Sequence, residues 1–292
     1  MNIRVDDDLE IGYEKNTKLV SIARLPVVVI LNNIPARSRN LIKKTHQSAK
    51  KVIETATTHE AIEVLYKFGE PKRSSTFLQR FFHYIWFTTH NSKAVRNRLR
   101  LVERELKKAI KEQDSMGRDL NILSIASGSA RAIVDSVFNN ESLEGKNVFI
   151  NFLDKNPKAN EYSKNLVHSM SFPDNYKFNW ITDTISNFPK YLDNRRPNIV
   201  EVVGLLDYFD NEAVRRIMKL IYDNLEDGGV FITSNIVDNL ERKFITNVVG
   251  WEMIYKHPKD FFDIAKDVGF NPENIEILYE PFRIHFVMIA KK

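Results

Sequence analysis

Residues 121–155 read NILSIASGSARAIVDSVFNNESLEGKNVFINFLDK. Asn121 to Ile125 is an apolar run of strand length, and Ala126-Ser127-Gly128-Ser129-Ala130 is a turn built of small residues. Arg131 to Phe138 has helical texture, and Asn147 to Leu153 is a second apolar run that ends on Asp154. This strand, turn, helix and strand form a βαβ unit of nucleoside-binding type. A turn without bulky side chains lets the backbone approach a ligand closely, and a carboxylate at the tip of the next strand accepts hydrogen bonds from both ribose hydroxyls.

Downstream, short apolar runs alternate with amphipathic helices, which predicts a parallel sheet covered on both faces. Pro157 to Met170 reads as a helix, Tyr176 to Thr182 as a strand delivering Asp183, and Asn198 to Val203 as a further strand. The helix Asn211 to Leu225, the turn Gly228-Gly229, the strand Val230 to Ser234 and the helix Pro258 to Val268, ended by Gly269, follow. The last two strands, Ile275 to Tyr279 and Ile284 to Ala290, are separated only by Glu280-Pro281-Phe282-Arg283. So short a link forces an antiparallel hairpin, because a parallel crossover takes about a dozen residues or more.

The first 118 residues have a different texture. Leu25 to Leu31, bracketed by Pro26 and Pro35, has the look of a β-strand in an otherwise poorly patterned segment. From Ala36 to Arg118 the periodicity is helical, with Gly69-Glu70-Pro71 as a breaker, Thr76 as the cap of an aromatic helix Phe77 to Phe87, and a long helix from about Ser92 to Glu112. Met116-Gly117-Arg118 reads as a hinge, which divides the chain into a mainly helical unit, 1–118, serving as lid or substrate selector, and an α/β unit, 119–292.

The 292 residues are 43% hydrophobic and carry a formal charge of +5. Residues 1–118 sum to about +10 and the remainder to about −5. Basic clusters at Arg37 to Lys51 and Lys93 to Lys111 suit either nucleic acid, anionic lipid or an acidic substrate, or a solvated helix face on which Glu103 and Glu105 interleave with the cations. Cysteine is absent, which excludes disulfides, thiolate zinc sites and cysteine nucleophiles, and no metal site is expected. Asp6, Asp7 and Asp8 stand where a signal peptide would be basic, and no apolar run approaches the roughly 20 residues of a membrane span; a cytoplasmic location is expected.

Five strands with helical crossovers closed by an antiparallel hairpin resemble the class I S-adenosylmethionine-dependent methyltransferases, over about 60% of the chain. Leu225-Glu226-Asp227-Gly228-Gly229-Val230-Phe231-Ile232 is similar to the family's L-x-P-G-G approach to strand five, with Asp227 in place of Pro. Gly269-Phe270 and the segment NIVEVVGLLDYF, 198–209, are similar to further family segments. Ser124 stands where the family usually has an acidic residue, and Ala126, Gly128 and Ala130 stand at its three small positions.

The resemblance implies a Rossmann-like, mostly parallel sheet of seven strands and S-adenosyl-L-methionine as cofactor. By carry-over, Asp154 binds the ribose and Asp183 the adenine amino group, with Ala126, Ser127, Gly128, Arg131, Lys155, Thr182, Thr184, Gly204 and Leu205 around them. The family's N-P-P-Y type sequence after strand four is missing; Gly204-Leu205-Leu206-Asp207-Tyr208-Phe209 stands there, which argues against methylation of base amines. Tyr208, Tyr255 and His257 are the catalytic candidates. Asn235, Trp251, Tyr255 and His257 also resemble, in order and rough spacing, a segment of a bacterial group associated with hydroxy-fatty-acid methyl esters. The expected acceptor is a small or lipid-like molecule, methylated at oxygen; RNA, drawn by the basic half, is the alternative.

Overall fold

The computed structural model describes residues 2–40, 43, 47–67, 77–138, 140–192 and 195–292. Its centre is an eight-stranded sheet formed by β1 (Asn2–Val5), β2 (Leu120–Ile125), β3 (Val148–Leu153), β4 (Tyr176–Ile181), β5 (Ile199–Val202), β6 (Val230–Ile236), β7 (Ile275–Tyr279) and β8 (His285–Lys291). The spatial order is β1-β7-β8-β6-β5-β2-β3-β4. Strands β2 to β6 run parallel, and β8 lies antiparallel between β6 and β7, so the short link at 280–283 makes the expected hairpin. Central β2 and β5 are buried along their whole length, which explains their unbroken apolar runs, while burial in edge strand β4 is confined to its two ends and its interior positions are exposed or half-buried.

The sheet has one strand more than the seven expected. Asn2–Val5 adds to β7 in parallel, with Arg4 paired to Glu276 at 2.8 Å. Four edge residues, alternately exposed and half-buried, carry no apolar run to betray them. Leu25 to Leu31 is a helix rather than a strand: Pro26 occupies the first turn, where its missing N–H costs nothing, and Val28 and Leu31 turn inward. The breaker at Gly69-Glu70-Pro71 and the Thr76 cap lie outside the described residues.

Helices α1 (Lys18–Ala23), α2 (Leu25–Asn32), α3 (Gln47–Glu54), α4 (His59–Tyr66) and α5 (Phe77–Thr88) lead into α6 (His90–Ser115), whose first turn is capped by the Thr89 hydroxyl. One stripe of α6, Leu101, Val102, Leu106, Ala109 and Ile110, is buried on the sheet beside α7 (Arg131–Val137) and α8 (Pro157–His168). The opposite face of the sheet is covered by α9 (Asn211–Asn224) and α10 (Pro258–Val268). Gly269 ends α10 at φ +128°, and a Cβ there would lie 2.7 Å from the Tyr222 ring, so only glycine fits.

The acidic amino terminus folds along α6. Arg104 binds Asp6 at 2.8 Å and Asp8 at 3.3 Å, Arg96 binds Glu14, and Lys108 binds Glu105 at 3.0 Å. Residues on both sides of Gly117 thus share one sheet and one core. Leu106→Ala is expected to cost about 2–5 kcal/mol, measured by urea denaturation, with loss of helix and sheet signals in a single transition; separate transitions would show that α6 is not part of the sheet's core.

Candidate active site

The turn after β2 takes the left-handed conformation at every second residue, with φ of +52° at Ala126, +55° at Gly128 and +56° at Ala130. Two of these are alanines, each holding a conformation that costs an L-residue about 1–2 kcal/mol. Their small side chains keep the turn narrow. Asp154, at the tip of β3, holds the turn from outside: its Oδ2 accepts from the Gly128 N–H at 3.0 Å and its Oδ1 from the Asn156 N–H at 2.8 Å. The neighbouring tip carries Asp183, which accepts from the Thr184 N–H at 2.7 Å, the Asn187 amide at 2.9 Å and the Tyr191 hydroxyl at 2.7 Å. These bonds, the Asn187 and Tyr191 ones foremost, bring its carboxyl down to about 2.

Both carboxylates border a cavity of about 710 Å³ over the carboxyl ends of the parallel strands. Its lining joins the small-residue turn, Asp154, Lys155, Asp183 and Thr184 at the strand tips with the cluster of Trp86, Tyr208, Phe244, Trp251 and Met253, which forms its aromatic end. A buried polar floor lies between. Ser124 pairs in register with Glu201 of β5 and donates to its Oε2 at 2.6 Å, so an acidic group occupies this corner although Ser124 itself is neutral. Burial pushes Glu201 up to about 7, against the opposing effects of the Ser124 bond and the Arg98 charge.

Asp207, equally buried and raised by that burial, accepts from the Ile236 N–H at 2.8 Å. Arg98 reaches the floor from α6 and lies over Gly204, its terminal nitrogens 3.8 Å from where a Cβ of that residue would stand. His285, at the start of β8, is 3% exposed and lines the cavity, and neither ring nitrogen has a partner among the described residues. Burial, and then the Arg98 charge, hold its imidazole well below the usual histidine range, so it is neutral.

The model of a family described as "Putative methyltransferase" matches residues 47–292. The chain belongs to that family. With the sheet order above, it is a class I S-adenosylmethionine-dependent methyltransferase. No curated protein matches the sequence. A crystal structure from Bordetella parapertussis, of what is called a possible exported protein, is 14% identical with a TM-score of 0.66, over 95% of this chain and 99% of that one. Magnesium protoporphyrin IX methyltransferase from Synechocystis PCC 6803, crystallised with bound S-adenosylmethionine, is 11% identical with a TM-score of 0.51, over 70% of this chain and 85% of that one. At these identities the likeness is one of fold.

The methyltransferase brings Ala126, Ser127, Gly128, Arg131, Asp154, Lys155, Asp183, Thr184, Gly204 and Leu205 to one cavity. Thr182 is not among the lining residues; its hydroxyl accepts from Asn160 at 3.0 Å. Arg131 makes a two-pronged bond to Glu63 of α4 at 3.0 and 2.9 Å, fastening that helix over the turn. Burial opposes ionisation of Glu63, but the bonds from Arg131 and Tyr162 prevail and bring it to about 2.

Of the catalytic candidates, Tyr208 lines the cavity, but its oxygen accepts from Trp251 Nε1 at 2.6 Å and burial pushes its hydroxyl up to about 12. Tyr255 packs outside the lining with Arg242 4.4 Å above its ring. His257 is exposed and caps α10, its Nδ1 accepting from the Lys259 N–H at 3.3 Å while Asp260 accepts from its own N–H, so it is a structural cap outside the cavity.

Arg98, Glu201 and His285 were not singled out from the sequence. Glu201 leaves a signal, a carboxylate inside an apolar strand; Arg98 is one cation in a basic run, and His285 opens a strand without any distinguishing neighbour. Because Glu201 is protonated more readily folded than unfolded, its contribution favours folding below about pH 4.5 and fades as pH rises through about 7. Glu201→Gln is therefore expected to unfold at a higher temperature than the wild type at pH 8, with the gap narrowing at pH 5; thermal melting at both values checks this, and a constant gap would contradict it.

Proposed function

We propose that the methyltransferase transfers a methyl group to an oxygen of a small, apolar, lipid-like acceptor. The observation that carries this reading is one cavity whose lining joins two strand-tip carboxylates, an aromatic cluster and a neutral imidazole that has no partner among the described residues. S-adenosylmethionine supplies an electrophilic methyl carbon on a sulfonium.

The chain's own groups fit that donor. Asp154 is placed to accept from ribose hydroxyls and Asp183 from an adenine amino group, while the left-handed turn at Gly128 leaves room for close approach. Glu201 and Asp207 put two buried carboxyl groups in the floor, whose ionised forms a bound sulfonium would favour. Methyl transfer by in-line displacement depends above all on holding the acceptor atom close to the methyl carbon, which is the task of the aromatic end. Trp86 from α5, with Phe244 and Trp251 from the segment after β6, wall that end, so the amino-terminal helices and this segment select the acceptor.

With the methyl carbon supplied by the donor bound at the strand tips, a ring nitrogen of His285 would take the proton that the acceptor hydroxyl gives up. The imidazole is neutral, so a ring nitrogen has a lone pair to accept with, while burial and the Arg98 charge oppose the imidazolium and favour passing the proton on. An RNA acceptor has less support, because Arg96, Arg104 and Lys108 of the basic helix are engaged by Glu14, Asp6 and Glu105.

Asp154→Ala is expected to weaken S-adenosylhomocysteine binding by about 2 kcal/mol or more, read by calorimetry; unchanged affinity would remove Asp154 from the donor site. With labelled methyl donor and a panel of hydroxylated apolar compounds, mass spectrometry is expected to find an O-methylated product. His285→Ala should slow its formation about a hundredfold or more while leaving S-adenosylhomocysteine affinity intact. Product formation at wild-type rate in this variant would dismiss the imidazole as base.

A further inference from the structure

We propose that the outer face of α1 and α2 docks on an anionic membrane surface. These two helices expose Leu19, Val20, Ile22, Leu25, Val29 and Ile30, between 45% and 80% of each, in an unbroken stretch of twelve positions. Isolated exposed aliphatics are ordinary; six in one short helical pair make a patch that calls for a partner. The inner face of α2 is settled already, with Val28 and Leu31 buried and Leu31 in the cluster that holds Trp86, Phe244 and Trp251. The outer face is therefore the back of the wall whose front lines the aromatic end of the cavity.

Charge decides the kind of partner. Residues 15–53 contain nine Lys and Arg and no Asp or Glu, in a chain whose totals are 43 and 38; Lys43 and Lys51 among the nine pair with Glu54 and Glu60 beyond that span. Lys15, Lys18 and Arg37 are exposed and have no carboxylate partner among the described residues, unlike Arg96, Arg104 and Lys108 of α6. An apolar face with the unpaired Lys15, Lys18 and Arg37 at its two ends suits a lipid surface, where aliphatic side chains sink below the headgroups and ammonium and guanidinium groups meet lipid phosphates. A second copy of the chain would bring like charges together across a twofold contact. A single-stranded nucleic acid stacks its bases on aromatic rings, and the patch has none. No helix among the described residues is long and apolar enough to cross a membrane, so the chain rests on the surface.

The docking stands apart from the identity of the acceptor, and it is tested apart from it. The full chain is sedimented with vesicles of phosphatidylcholine alone or with about one third phosphatidylglycerol, at about 0.1 M and about 1 M salt. Binding is expected to the anionic vesicles, much less to the neutral ones, and to weaken at high salt. The Ile22→Asp/Ile30→Asp variant should bind about tenfold less or weaker still, and Lys15→Glu/Lys18→Glu should lose the preference for anionic lipid, both with unchanged melting temperature. Absence of vesicle binding at low salt overturns the proposal, as does a doubly substituted variant that folds and binds like the wild type. A dimer in sedimentation equilibrium that Ile22→Asp/Ile30→Asp dissolves, or RNA binding in place of vesicle binding, equally overturns it.

Discussion

The burial of one stripe of α6 against the sheet is the contact on which the rest of the molecule depends. Leu101, Leu106 and Ile110 are fully enclosed there, each worth a few kcal/mol if truncated. Once that stripe is fixed, the remaining faces of the helix have no freedom. The Arg104 side is left to gather the acidic amino terminus, and the end near Ala94 and Arg98 is left over the carboxyl edges of the strands. The aromatic residues that wall the cavity follow, because α3 to α5 pack on one another and on the start of α6. A helix that belongs to the core thus delivers a charged side chain to the site.

The least comfortable parts of the structure lie together at that edge. Two alanines hold left-handed backbone and a glutamate is buried against a serine, while an arginine Nε and an imidazole have no partner among the described residues. Each costs stability, and each is kept in place by well-packed strands on either side. Asp154 and Asp183 are oriented by protein donors, whereas Arg98 Nε and the His285 ring nitrogens have no partner among the described residues and keep their capacity for a ligand.

The amino-terminal helices face two ways. Inward they supply apolar walls, continuous with the segment after β6, through Trp86, Leu65 and Val52. Outward they leave aliphatic side chains exposed, with Lys15, Lys18 and Arg37 unpaired with any carboxylate among the described residues. Both basic clusters have acidic partners, Lys43 and Lys51 in Glu54 and Glu60, Arg96, Arg104 and Lys108 in Glu14, Asp6 and Glu105, whereas Lys15, Lys18 and Arg37 have none among the described residues.

What the sequence by itself determined is the local pattern. The run from Asn121 to Asp154 is legible because both strands are buried on the positions that periodicity marks and because a turn of small residues leaves few other conformations. The hairpin at 280–283 follows from chain length alone. Tertiary structure decided whatever depends on partners distant in sequence. Asn2–Val5 is a strand only because β7 offers an open edge, and Leu25 to Leu31 is a helix because its inner face meets Phe244 and Trp251, over two hundred residues away. The polar floor was hidden for the same reason: Ser124, Glu201, Arg98 and His285 come from four elements, and no spacing along the chain records that a sheet register and a crossing helix bring them together.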